Sequence, residues 1–340
     1  MHEALLWEPE GERIHCLLCP HDCRIAEGAR GICGVRENRS GRLHALTYGL
    51  VSSVAADPIE KKPVFHYRPG TFALSLGSVG CSMRCGHCQS WRISRARPGS
   101  DEDLERLAPE RVVPLARESG CAGVAFTYNE PVIWIEYVLD VARACREAGL
   151  YTVMVTNGYI TTAGLDLIGP YIDVWRVDVK GFNDTTYREF CRARSVHPVL
   201  EAAEHAKKRW GMHLEVVTNI VPTVNDDDDT LRSIARWIAA SLGPLTPWHV
   251  TRFFPYLDMA HLPPTPIATL ERAIQTGAEE GLCFVYAGNA QVPGGEDTVC
   301  PSCGAVAIGR SGYRIIRHET IAGACTACGA ALGIIEEAIA

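Results

Sequence analysis

A chain of 340 residues with 33 Lys and Arg against 40 Asp and Glu carries a formal charge of -7, which argues against a general polyanion binder. Its 47% hydrophobic and 21% charged residues exclude a disordered or collagen-like chain. No apolar run reaches the ~18 residues that a membrane-spanning helix needs, and the opening MHEALLWEPEGER has no basic stretch followed by an apolar one. A cytoplasmic location and no membrane partner are expected.

In such a compartment thiols stay reduced, so the 15 cysteines read as metal ligands rather than crosslinks. They fall into three groups at ligand spacing: Cys16, Cys19, Cys23 and Cys33; Cys81, Cys85 and Cys88; and Cys300, Cys303, Cys325 and Cys328. The scattered Cys121, Cys145, Cys191 and Cys283 lie on predicted strands or helices and are expected as small buried core residues.

Residues 1–70 are read as a Cys-rich N-terminal appendage. Its Cys16-x2-Cys19-x3-Cys23-x9-Cys33, with His15 and His21 nearby, differs from the ferredoxin run and fits either Zn2+ or a second iron–sulfur cluster. Arg24, Arg30, Arg36, Arg39 and Arg42 give slight support for a nucleic-acid partner; a solvated charged face is the simpler reading.

From 71 to 291 short β-branched runs alternate with amphipathic stretches, the pattern of parallel β/α units. Strands are predicted at 72–77, 122–128, 151–156, 172–178, 213–220, 248–254 and 283–287. Helices are predicted at 131–148, with Pro131 in the first turn and Gly149 as stop, at 196–210 capped by Ser195, at 230–241 capped by Asp229, and at 266–280. Six or seven such units with no hairpin signal leave an open doubly wound sheet or a full or partial (β/α) barrel, and in both the chemistry sits at the strands' C-terminal ends. The DDDD run at 226–229 reads as a solvated turn before a helix.

Residues 292–340 form a C-terminal appendage. Cys300-x2-Cys303-Gly and Cys325-x2-Cys328-Gly, separated by 21 residues, make two knuckles whose spacing points to a structural Zn2+ ribbon, with a rubredoxin-like iron as the alternative. The usual work of such a metal is to fold an appendage too small to fold alone.

The remaining group, Cys81-x3-Cys85-x2-Cys88, directly follows the first predicted core strand. Iron–sulfur clusters prefer thiolates, and three thiolates leave one iron open to an outside ligand; zinc would call on a fourth group such as His87. This loop is the signature of radical S-adenosylmethionine (SAM) enzymes, and further segments resemble the pyruvate formate-lyase-activating-enzyme-like branch. They are Lys62-Pro63-Val-Phe-His66-Tyr-Arg-Pro69-Gly70 before the first strand, Thr127-Tyr128-Asn129-Glu130-Pro131 after the second, Thr156-Asn157-Gly158 after the third, Asp178-Val179-Lys180 after the fourth, and Trp248-His249-Val250-Thr251-Arg252-Phe253-Phe254-Pro255 at the sixth. With the terminal cysteines and Tyr286-Ala287-Gly288-Asn289, the chain most resembles the radical SAM component of AmmeMemoRadiSam systems.

The resemblance implies a partial (β/α)6 TIM-like radical SAM barrel with small Cys-rich appendages. It implies a [4Fe-4S] cluster on Cys81, Cys85 and Cys88, and SAM held near His87, Asn129, Glu130, Thr156, Asn157, Asp178, Lys180 and His249. Each of these has a plainer role open to it: turn residue for Asn129 and Asn157, helix cap for Thr156 and Asp178, satisfied core histidine for His249, surface ion pair for Lys180. His87 stands where relatives have an aromatic residue against adenine. The implied activity is reductive cleavage of SAM to a 5′-deoxyadenosyl radical, with a flavodoxin or ferredoxin as electron donor and a protein as hydrogen donor. A small molecule or RNA as substrate, and a zinc-bound interaction protein without catalysis, are the competing readings.

Overall fold

The computed structural model describes residues 2–99 and 104–336. Its centre is a sheet of seven parallel strands lying in chain order: β1 (Phe72–Gly77), β2 (Gly123–Phe126), β3 (Tyr151–Thr156), β4 (Val174–Asp178), β5 (His213–Ile220), β6 (Trp248–Arg252) and β7 (Val285–Gly288). Helices cross between them: α1 (Pro109–Glu118), α2 (Ile135–Glu147), α3 (Thr162–Ile168), α4 (His197–Trp210), α5 (Asp228–Trp237) and α6 (Ile267–Glu279). Six β/α units followed by a seventh strand give a partial barrel. Both sheet faces are covered, which is why β2 and β3 are apolar almost throughout rather than alternating.

Three local readings shift. Ser195 does not cap α4, which starts one residue later after Val196, although Ser195 Oγ accepts from His197 N at 3.1 Å. The Asp227 side chain, not Asp229, caps α5 by accepting from Thr230 N at 2.9 Å; in a run of four aspartates each is chemically fit to cap, and packing selects one. Cys283 is half-buried, whereas Cys121, Cys145 and Cys191 are buried.

An eighth strand, Ser53–Pro58, pairs antiparallel with β1 from Ser53 opposite Gly77 to Pro58 opposite Phe72. It covers one open edge of the sheet. Ahead of it, residues 2–45 fold as two three-stranded antiparallel sheets. Four of the arginines singled out in this region are ion-paired at the surface: Arg24 with Asp22 and Glu10, Arg30 and Arg39 with Glu37, and Arg42 with Glu3.

Arg36 instead crosses to α2, where its guanidinium meets Glu136, both side chains being 1% exposed. Breaking one partner of a buried pair leaves the other charge stranded, at a cost of about 3–5 kcal/mol. Glu136→Ala is expected to lower the unfolding free energy by about that much in denaturant titration. An unchanged midpoint would mean the N-terminal sheets are anchored elsewhere.

At the other end, Thr298–Val299, Val306–Ser311 and Arg314–His318 form an antiparallel three-stranded sheet. The tail that follows returns to the barrel entrance: Arg68 N donates to Ile335 O at 2.6 Å, Ile335 N to His66 O at 2.8 Å, and His66 Nδ1 lies 3.1 Å from Leu332 O. Among the described residues no helix is long and apolar enough to cross a membrane.

Candidate active site

The parallel strands end around one cleft of about 1090 Å³. Cys81, Cys85 and Cys88 line it together with all eight polar residues singled out in the sequence: His87, Asn129, Glu130, Thr156, Asn157, Asp178, Lys180 and His249. Their convergence follows from the parallel topology, which places every strand's C-terminal end on one face.

The cysteine loop leaves β1 through Gly80, whose φ is +89°. A side chain there would meet Val35 Cγ1 at 2.6 Å and Cys33 O at 2.8 Å, so only glycine lets the loop turn against the N-terminal sheets. Asn129 fixes this turn from β2: its Oδ1 accepts from Ser78 N at 2.9 Å and its Nδ2 donates to Gly80 O at 3.1 Å. Asn129 thus positions the loop through both ends of its amide while it lines the cleft. Asn157 grips the next residues, its Nδ2 donating to Ser82 Oγ at 3.1 Å and lying 3.7 Å from Cys81 Sγ.

Glu130 is 2% exposed. Its Oε1 accepts from Thr156 Oγ1 at 2.6 Å and Val132 N at 3.0 Å, and its Oε2 accepts from Asn157 N at 2.8 Å. Burial outweighs these donors and pushes its carboxyl up to about 7. The Asp178 carboxylate is the opposite case: burial pushes it up, but Arg176 and Lys180 beside it pull it below its ordinary value. Lys180 Nζ donates to Asp178 Oδ2 at 3.0 Å and is held charged by it, against the penalty of burial.

His87 stacks on Phe190 at 4.4 Å with 11° between the rings. Burial lowers it to about 3, so the ring is neutral, and its buried Nδ1 has no partner among the described residues. His249 donates through Nε2 to Glu215 Oε2 at 2.6 Å, and Glu215 Oε1 also accepts from Phe65 N at 2.8 Å and His66 N at 2.7 Å. His249 is therefore fixed from behind while it lines the cleft.

Sequence reasoning missed Arg176, Glu215 and Cys191. Cys191 is buried as expected of a core residue, yet it adjoins the loop: Arg84 N donates to Cys191 O at 2.9 Å, and its thiol lies within hydrogen-bonding reach of Cys85, which is the foremost cause lowering the Cys85 thiol. It sits on a widened helical turn, Tyr187–Cys191, a local irregularity that a spacing rule does not register.

The profile of the radical SAM superfamily matches residues 76–238. An uncharacterized protein of Methanocaldococcus jannaschii is 41% identical over 338 residues, covering 98% of this chain and all of the relative. The chain carries a radical SAM superfamily domain. The pyruvate formate-lyase-activating enzyme of Clostridium pasteurianum is 28% identical over 47% of this chain and 66% of its own length, so this likeness spans just under two thirds of that enzyme. A domain of a pyruvate formate-lyase-activating enzyme from Bacteroides vulgatus is similar in structure, with a TM-score of 0.43 and 18% identity over 49% of this chain and 99% of that one.

As a radical SAM loop, the Cys81–Cys88 segment fits a cluster in its donor set. Three thiols lie on one loop, with Met83 N donating to Cys81 Sγ at 3.3 Å and Ser94 Oγ 3.2 Å from Cys88 Sγ. Hydrogen bonds to sulfur are how proteins support iron–sulfur thiolates. The C-terminal four are built differently. Cys300 and Cys328 sulfurs are 3.6 Å apart and those of Cys303 and Cys325 3.9 Å, and all four lie within 4.8 Å of one another. A tetrahedron of ~2.3 Å metal–sulfur bonds has edges of roughly 3.8 Å, so these thiols are set for one ion. Cys303→Ser with Cys328→Ser is expected to lose about one metal per chain and to open residues 298–336 to protease, read by metal analysis and limited digestion. A protease-resistant variant would show that the ribbon folds without its metal.

Proposed function

We propose that this chain reductively cleaves SAM with a [4Fe-4S] cluster held by Cys81, Cys85 and Cys88. The observation that carries the reading is the meeting of a three-thiol loop with Glu130, Asp178 and Lys180 in one cleft at the strand ends. When bound, the reduced cluster supplies the electron that breaks the SAM carbon–sulfur bond and yields a 5′-deoxyadenosyl radical for hydrogen abstraction. Glu130 accepts from the SAM ammonium through Oε2, which carries a single protein donor. Lys180, fixed by Asp178, balances the SAM carboxylate. His87, backed by Phe190 and lining the cleft, meets adenine.

The likeness to activating enzymes supports hydrogen abstraction from a protein, with a flavodoxin or ferredoxin as reductant and a cytoplasmic setting. The terminal cysteine groups and Tyr286–Asn289 support placing the chain with the AmmeMemoRadiSam radical SAM enzymes, and the C-terminal sulfur geometry supports Zn2+ there. A small-molecule substrate is the second reading. What favours it is that the appendages wall the cleft: Glu60, Lys61 and Lys62 on one side, Glu296, Gly312 and Tyr313 of the ribbon on the other. The test is EPR of the anaerobically reconstituted, reduced protein. A signal that changes on adding SAM, with 5′-deoxyadenosine formed, is expected; iron-free protein after reconstitution would sink the proposal.

A further inference from the structure

We infer that Cys16, Cys19, Cys23 and Cys33 hold a second iron–sulfur cluster, of the [4Fe-4S] type, that hands single electrons to the centre on the Cys81–Cys88 loop. The relay rests on the reading of that loop given above; the cluster itself rests on the N-terminal sheets alone.

Cys16 ends the Arg13–Cys16 strand, and Cys19 and Cys23 flank a turn closed by Cys16 N donating to Cys23 O at 2.9 Å and Asp22 N to Cys19 O at 3.1 Å. The sulfurs of Cys23 and Cys33 each lie 3.8 Å from where a side chain on Gly31 would begin, so the glycine leaves a hollow between them. Cys16 and Cys33 are 6% and 8% exposed, and Ile14, Leu18 and Ile25 are buried alongside them. His15 is taken at both ring nitrogens, by Glu8 and Asp22, whereas His21 gives Nε2 to Ser82 O.

Two features separate this group from the ribbon. Among the described residues only the C-terminal four bring their ligand atoms all within 4.8 Å of one another, the spacing for a single ion. The N-terminal thiols do not share that spacing, and ligands that each bind a different iron of a cluster need not. The second feature is Arg36, 1% exposed, whose Nη1 donates to Cys16 Sγ at 3.5 Å while its buried Nε has no acceptor among the described residues. A zinc tetrathiolate offers only its four sulfurs. A cubane adds inorganic sulfides, which accept N–H groups at just such positions.

The placement gives the cluster its work. His21, between Cys19 and Cys23, meets Ser82 O through Nε2 at 2.7 Å. Arg84 Nη2 donates to Ile32 O at 3.2 Å, and Gly80 lies directly on Cys33 O. The two cysteine loops thus touch at both ends, with no element between them. A low-potential one-electron donor of the flavodoxin or ferredoxin class reduces the N-terminal cluster by one electron. That cluster returns to its oxidised state as it reduces its neighbour by one electron, and no bond or proton changes place.

The experiment uses the full chain carrying Cys81→Ala, Cys85→Ala and Cys88→Ala, reconstituted anaerobically beside wild type, with iron, sulfide and zinc counted and reduced EPR spectra recorded. Wild type is expected to hold about eight irons and the variant about four, with a variant signal indifferent to SAM. A variant with no iron, whether or not a second zinc takes its place, would overturn the assignment. Equal iron in both proteins, about four each, would overturn the reading of the Cys81 loop and uphold the N-terminal cluster. Cys16→Ser with Cys23→Ser tests the relay: the SAM-sensitive signal should develop several-fold more slowly with a flavodoxin-type donor, and an unchanged rate would overturn it.

Discussion

Alanine at Cys81, Cys85 and Cys88 together should reduce 5′-deoxyadenosine formation to the background of protein-free reductant while leaving the C-terminal metal in place. The contrast is the informative part. The three thiols stand on a loop whose backbone is already fixed by Asn129, Asn157 and the Cys191 carbonyl, so their removal takes away ligands without freeing the loop. Thiol to methyl is a small change of volume at partly buried positions, and the fold should persist, with an unchanged circular dichroism spectrum. Residual product formation that scales with protein concentration would mean that electrons reach SAM by another route, and the loop would lose its assigned role.

Glu130→Gln should weaken SAM binding by roughly 10- to 150-fold, the equivalent of losing a charged hydrogen bond worth about 1.5–3 kcal/mol. The substitution also turns an amide donor toward Asn157 N or Thr156 Oγ1, both of which now donate to the carboxylate. The same carboxylate predicts a pH dependence. Its folded value of about 7 lies above the ordinary 4.5 because burial penalises the charge. Protonation therefore favours the ligand-free folded state: the contribution is full below 4.5 and is lost as the pH rises through about 7. An ammonium ligand needs the ionised form, so SAM affinity measured by calorimetry should climb between about pH 6 and 8 and then level. A flat profile in wild type would show that Glu130 does not face the ligand's charge.

Much of this site could be read from the chain alone, for an identifiable reason. Tyr151–Thr156 and His213–Ile220 match their predicted bounds because each is a β-branched run closed by polar or turn residues. Parallel β/α order then fixes where their C-terminal ends meet, which is why residues as distant as Asn129 and His249 share a cleft. What escaped the reading depends on pairing at long range. Ser53–Pro58, with the sequence SVAADP, carries too few large apolar residues and too much turn chemistry to read as a strand; its partner β1 supplies the pattern. Glu215 resembles any mid-strand carboxylate until the backbone of Phe65 and His66 and the rings of His213 and His249 are seen around it. Arg36 reads as one of five arginines on a charged face, and only the packing of α2 against the N-terminal sheets makes it the buried one.

The return of the tail to His66 bears on the order in which the molecule can assemble. Leu332 and His66 are 266 residues apart in the chain, so the entrance to β1 is locked only after the barrel strands and the ribbon have been synthesised. Until then the Cys81–Cys88 loop is already synthesised, with the walls supplied by the ribbon still missing. Maturation thus has a natural window, in which a bulky inorganic centre can be delivered to an accessible loop before the ribbon is in place beside it.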